Sequence, residues 1–287
     1  MTRIFPTALR TASLLVLLPL SLLAEQKPAA SGRSGKPARA VTEKINVFDL
    51  IRNGEIYYHL NPKAELHDKP EDVFLLKDKE LTITGRGYGC LYTADSFKDY
   101  RLVVEFKWTG RTWGDRADRA RDNGILLHCH GPEGALGGTW VASIEAQIIE
   151  GGMGDMLVLN SGLPDAGIQQ TKASVEVETD RDGEKRWKPG APRQEILNGR
   201  INWEKRHEDW DDKVGIRFAD DLEAPIGEWN KLEVIARGST LVYLFNGKKV
   251  NEAFDVHPGE GPIGIQTEAA EMVVRRYELL PLDQTKP

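Results

Sequence analysis

Apolar and polar residues alternate one by one in short runs along most of this chain, and no stretch sustains the three-to-four-residue spacing of a long amphipathic helix. In residues 101–108, Leu102, Val104 and Phe106 fall on one face while Val103, Glu105 and Lys107 fall on the other. An extended strand turns successive side chains to opposite faces, so such a run buries one face and leaves the other polar. Comparable runs recur at 124–130, 143–149, 156–159, 231–237, 240–245, 261–267 and 272–279. The Asn246–Gly247 pair after Phe245 marks a hairpin, because both residues accept positive φ. Many short strands separated by turns predict an all-β fold built as an antiparallel two-sheet sandwich. No internal repeat is visible.

The amino terminus follows a different pattern. Arg3 and Arg10 precede an apolar run at 12–23 and then Ala24, which is the order of a secretory signal. The run is short of the roughly 20 residues that cross a bilayer. Residues 1–24 are therefore expected to be a signal peptide and the mature chain a periplasmic or secreted protein without membrane insertion. Residues 25–40, rich in Lys, Pro, Ala, Ser, Gly and Arg, are expected to be a flexible leader. Residues 41–287 then form one domain, a length an all-β sandwich can occupy. The net charge of −6 comes from interspersed signs with no basic stripe, which excludes a nucleic-acid partner. An exported chain can oxidise its two cysteines, Cys90 and Cys129, but nothing in the sequence places them together, and two separately buried thiols are expected.

Candidate site residues come from the same alternation. In SIEAQIIEGGMGD (143–155), Ile144, Ala146 and Ile148 point to the core and Ser143, Glu145 and Gln147 share the opposite face. Glu150 falls on the core side in a regular strand, whereas a bulge near Ile148 or Ile149 returns it to the face of Glu145. In GILLHCHG, His128 and His130 share a face, a spacing that suits joint metal ligation, acid–base work or no chemistry at all. A metal needs a third ligand, which Glu145 could supply; the expectation is no tightly held metal and no cofactor. In PIGIQTEAAE, Gly264, Gln266 and Glu268 share a face. Between 179 and 212 the composition shifts to charge, Gly, Pro and the tryptophans Trp187, Trp203 and Trp210, which either cap the core or wall a sugar site. The expected polar surface gathers Glu105, Lys107, His128, His130, Glu145, Gln147 and Gln266, with Trp140 counted among the sugar contacts.

The runs NGILLHCHG, WVASIEAQIIEGGMGD, GEWNKLEV with FNGKKV, and GPIGIQTEAAEMVVRRYELLPL, taken in order and spacing, resemble the 3-keto-disaccharide hydrolase family. The resemblance runs from INVFDLIRNG to the last strand, departing where Glu55–Ile56–Tyr57–Tyr58 replaces a usual tryptophan. It implies a jelly roll of the concanavalin A-like type and an oligosaccharide or glycoside substrate oxidised to a ketone at its third ring carbon. It also implies elimination: Glu145 or His128 as base, Gln147, His130 or Lys107 as donor to the enolate, and Glu268 or Glu150 as acid. Glu145-Ala-Gln147-Ile-Ile-Glu150 is also similar to the Glu-x-Asp-x-x-Glu run of laminarinase-type retaining glycosidases, with Gln147 in place of the aspartate. A non-catalytic lectin-like module is the remaining alternative, since the fold hosts both.

Overall fold

The computed structural model describes residues 37–161 and 169–283. The expected signal peptide and the leader up to residue 36 lie outside the described residues. Among the described residues, Arg39–Ala40, which the sequence reading puts in the leader, pair in parallel with Phe97–Lys98.

Two antiparallel sheets pack face to face. One has seven strands in the spatial order Gly199–Ile201, Met156–Leu159, Ala142–Ile149, Asp122–His130, Gly264–Glu268, Tyr88–Thr93 and Ile56–Leu60. The other has eleven, centred on Asn230–Arg237, Tyr100–Thr112 and Ala270–Leu280. The inward residues of the predicted runs form the core: Ile125, Leu127, Ile144, Ala146 and Ile148 meet Leu102, Val104, Phe106, Trp108, Val234 and Val274, all essentially without solvent contact. Each large apolar side chain buried this way contributes about 1.5–3 kcal/mol. Asn246 and Gly247 have φ of 46° and 84°, the left-handed pair that closes the hairpin between Thr240–Phe245 and Lys248–His257.

The structure differs from the sequence reading in two stretches. Residues 179–212 are not one long loop, because Lys185–Trp187, Arg193–Ile196 and Gly199–Ile201 are strands. Trp187 and Trp203 are core residues, and only Trp210 lies outside the core. A six-residue helix, Val47–Arg52, follows Asn46, whose side chain accepts a hydrogen bond from the Phe48 N–H at 3.0 Å as its cap.

Candidate active site

The outer face of the seven-stranded sheet is organised in three cross-strand rows. The first runs through Arg200, Leu157, Glu145, Leu126, Gly264, Tyr92 and Tyr57, each the register partner of the next. The second holds Gln147, Gly124, Gln266, Cys90 and His59. The third sets Asp122 beside Glu268 and Tyr88. Polar groups are concentrated in the last two rows and at Arg200 and Glu145 of the first.

Segments of chain rise around these rows. The loop 131–141 lies on the apolar part of the first row, where Leu136 and Val141 join Cys90, Tyr92, Leu126, Cys129 and Leu159 in a second small apolar cluster. It is tied down by the Tyr92 hydroxyl donating to Glu133, by His59 Nε2 at 3.1 Å from the Gly138 carbonyl, and by Asn61 donating to Thr139 at 2.8 Å. At the opposite end, Arg116 ends the short 3-10 turn Gly114–Arg116 and meets Asp212, whose carboxylate also accepts from the Ala120 N–H at 3.1 Å. Arg206 and Trp210 stand beside them, the guanidinium 3.8 Å from the ring centroid.

Glu145, Gln147 and Gln266 are only 3 %, 3 % and 2 % exposed, although they project from an outer face. They form a recessed floor, and Glu268, Asp212 and Arg200 stand at its rim with 19 %, 34 % and 29 % of their side chains exposed. Gly124 makes the floor possible: a Cβ there would sit 2.0 Å from Glu145 Oε1 and 2.7 Å from Gln266 Oε1. The glycine leaves the space in which a carboxylate and an amide from the two flanking strands approach each other. Gln147 donates to Asp122 Oδ1 at 2.5 Å, and its own Oε1, like that of Gln266, is buried with no partner among the described residues. Such acceptors are costly to leave unmet and await O–H or N–H donors.

Burial governs the ionisation of this face. Loss of water, reinforced by the Asp122 charge and opposed by Arg200 and Gln266, pushes the Glu145 carboxyl up to about 8. Burial also raises Asp122, to about 6, against the pull of Arg116 and Arg200. Glu268 is pushed well up by desolvation and then by Asp122, with Arg116 opposing; its rim exposure moderates the effect. Glu145 and Asp122 can therefore take up and deliver protons near neutral pH, and Glu268 is biased toward its protonated form.

The model of the family described as the 3-keto-alpha-glucoside-1,2-lyase-like domain matches residues 59–280. The chain belongs to that family. No curated protein matches the sequence. Among solved structures it is similar to a protein from Parabacteroides distasonis assigned as a glycosyl hydrolase (16 % identity, TM-score 0.44, covering 79 % of this chain and 100 % of that one). It is also similar to LamAcat from Zobellia galactanivorans (10 %, 0.41, 84 % and 98 %) and to the carbohydrate-binding module CBM66 from Bacillus subtilis (11 %, 0.35, 84 % and 99 %). This member of the 3-keto-alpha-glucoside-1,2-lyase-like family is an antiparallel two-sheet β-sandwich of a carbohydrate-active family.

Of the site residues expected from its sequence, this family member brings Glu145, Gln147, Gln266 and Glu268 together. The others lie elsewhere. His128 has φ 56° and occupies a register slip opposite Ser143, where the strand Asp122–His130 carries one extra residue. The bulge breaks the alternation and turns His128 inward between the sheets, with Nε2 3.0 Å from the Tyr100 hydroxyl and Nδ1 3.0 Å from the Pro258 carbonyl. Burial lowers its pKa to about 4, so it is neutral there. His130 turns away to the strand end, with Nε2 3.0 Å from the Gln169 carbonyl, so the two imidazoles do not converge. Glu105 and Lys107 sit on the outer face of the opposite sheet, because their neighbours Val104, Phe106 and Trp108 point into the core from that sheet. Glu105 is paired there with Arg275 at 2.8 Å, and Lys107 lies 4.6 Å over the Trp229 ring.

Glu150 is a further correction. The register stays regular through Ile148 and Ile149, so no bulge returns it to the face of Glu145. It is instead buried in an ion pair with Arg121 at 2.8 Å. The carboxylate pair of a laminarinase-type run is therefore not formed. Trp140 is half-buried in the loop 131–141. Asp122, Gly124, Arg116 and Arg200 were missed. Extending the alternation of 124–130 two residues backward would have placed Asp122 on the site face; Arg116 and Arg200 come from a turn and an edge strand and had no local signal.

Proposed function

We propose that this protein cleaves 3-keto-glycosides by elimination, with Glu145 as the base. The observation that carries this reading is a carboxyl held near neutral pKa on a recessed floor, beside a second protonatable carboxyl at the rim. A base works best when its pKa lies near the working pH, and a ketone at C3 acidifies the hydrogen on C2 enough for such a base.

In this scheme Glu145 takes the C2 proton, and the electron pair moves onto the C3 oxygen as an enolate. Arg200 and Gln266 supply positive potential and an N–H for that oxygen. The enolate then expels the C1 substituent. The C1–O bond breaks, Glu268 gives its proton to the departing oxygen, and a 1,2-unsaturated 3-ketone remains. Water adds across C1=C2, with hydroxyl to C1 and a proton to C2, to complete a net hydrolysis. Gln147 and Gln266 hold the ring through their unpartnered carbonyls. We also place the activity outside the cytoplasm, on the charge, apolar run and small residue at the amino terminus; cell fractionation tests this, and a purely cytoplasmic protein would overturn it.

Product analysis with a 3-keto-glucoside and the matching unoxidised glucoside tests the reaction. Cleavage of the keto form alone, with solvent deuterium entering C2, is expected. Cleavage of both forms without deuterium would overturn elimination in favour of ordinary hydrolysis, and binding without cleavage would favour a lectin-like module.

A further inference from the structure

Asp122 and Glu268 face each other on neighbouring strands. Facing side chains in an antiparallel pair are about 4.5–5.5 Å apart at Cβ, so two ionised carboxylates there repel strongly. The positive charge available does not neutralise both. Arg116 lies 3.2 Å from Asp122 Oδ2 and 3.4 Å from Glu268 Oε1, but it also serves Asp212 at 3.2 Å and the Ala120 carbonyl at 2.8 Å. Arg200 bonds Asp155 at 2.9 Å, and Arg206 bonds the same carboxylate. Glu145 adds a further acidic group, and Tyr88, the next residue in the row, donates to Asp115.

Their surroundings distinguish the two members. Asp122 Oδ1 accepts from Gln147 at 2.5 Å and Oδ2 lies 3.2 Å from Arg116 as an ion pair, two contacts that favour the ionised carboxylate. Among the described residues Glu268 has only the 3.4 Å hydrogen bond from Arg116, and it stands at the rim, where a ligand can reach it.

We infer that Asp122 and Glu268 work as one acid, in which Asp122 keeps the charge and thereby holds the proton on Glu268 for transfer to the departing glycosidic oxygen. Asp122 is thus a positioning residue, and Glu268 is the catalytic one. The proton lost by Glu268 ends on the aglycone oxygen as the C1–O bond breaks, and the dyad is recharged from solvent. This role rests on the elimination reading, but the proton sharing itself does not.

Two measurements test it. Carboxyl-carbon NMR titration of Glu268 needs no substrate: Asp122→Asn should move its midpoint down by more than one pH unit, and an unmoved midpoint would overturn the sharing. Turnover is then compared on 3-keto-glucosides with alkyl and nitrophenyl aglycones. Asp122→Asn should lose about 10- to 100-fold with the alkyl aglycone, which needs a proton, and under about 3-fold with nitrophenyl. Equal losses on both would show a merely structural role. Should Asp122→Asn fail to fold, Glu268→Gln at the rim must show the same aglycone split, and its absence would sink the proposal. Wild-type enzyme inert toward every 3-keto-glucoside, with the NMR shift present, would reject the elimination reading while leaving the dyad intact.

Discussion

The two outer faces of this sandwich arise from the same alternation, yet their carboxylates are treated in opposite ways. On the eleven-stranded sheet Glu105 is held by Arg275 and Arg276, Glu233 by Arg101 and Lys231, and Glu278 by Lys44 and Arg276. Hydrogen bonds and charge from those partners outweigh partial burial, and all three pKa values fall below the ordinary carboxylate range. On the seven-stranded sheet Glu145, Asp122 and Glu268 are buried faster than they are neutralised, and their values rise. A polar outer face is therefore not a site in itself. What distinguishes one is carboxyl groups withdrawn from water with too few cations to satisfy them.

The largest effect that can break this contrast is Glu145→Gln, which should reduce turnover of the best substrate by about 10²–10⁴ while leaving the fold intact. Retained activity would remove Glu145 from the chemistry. Gly124→Ala comes next. Its Cβ would displace the Glu145 carboxylate, so kcat should fall by roughly 10-fold or more with a far smaller change in Tm, because the obstructing atoms are side-chain ends. An unchanged kcat would show that the glycine does not set the base in place.

The pH dependence sharpens the comparison. Activity should climb as pH rises toward about 8, where Glu145 ionises and becomes a base. Stability runs the other way. A carboxyl raised from 4.5 to about 8 favours the folded state fully below 4.5, and that contribution is lost as pH rises through about 8. Glu145→Gln should accordingly melt higher than wild type above pH 8, and equal Tm values there would contradict the raised pKa. His128 has the opposite sign. Its pKa falls from 6.5 to about 4, so the stability it protects is present above 6.5 and lost as pH falls through about 4. Over that window the loss is on the order of 3 kcal/mol, which acid melts of His128→Gln should flatten. The smallest effect belongs to the opposite face: Glu105→Gln should leave turnover unchanged and cost about 0–1 kcal/mol. A loss of activity there would mean that the two faces are not functionally distinct.

Much of the fold was legible because a two-residue period needs only local sequence. The strands around Leu102, Ile125, Ile144 and Val234 and the Asn246–Gly247 hairpin follow directly from it. The helix Val47–Arg52 was not legible, since six residues give too little periodicity. Within the site, Glu145 and Gln147 were read from alternation alone, as were Gln266 and Glu268. His128 was misread because one added residue reverses every subsequent side chain, and a bulge leaves no mark in composition. Glu105 and Lys107 were misread for another reason: alternation tells which residues share a face but not which sheet the strand joins.

The sequence by itself determined the two-residue rhythm, the inward set of apolar residues and the polar character of both outer faces, because these depend on neighbours along one strand. Tertiary structure alone decided which polar face became the recessed one. Strand order brought Glu145, Gln147, Gln266, Asp122 and Glu268 together from three separate runs, and the packing around them, with Arg116 set against Asp122 and Glu268, withdrew them from water. Desolvation is a property of everything packed around a group, so a raised pKa belongs to the fold and not to the local sequence.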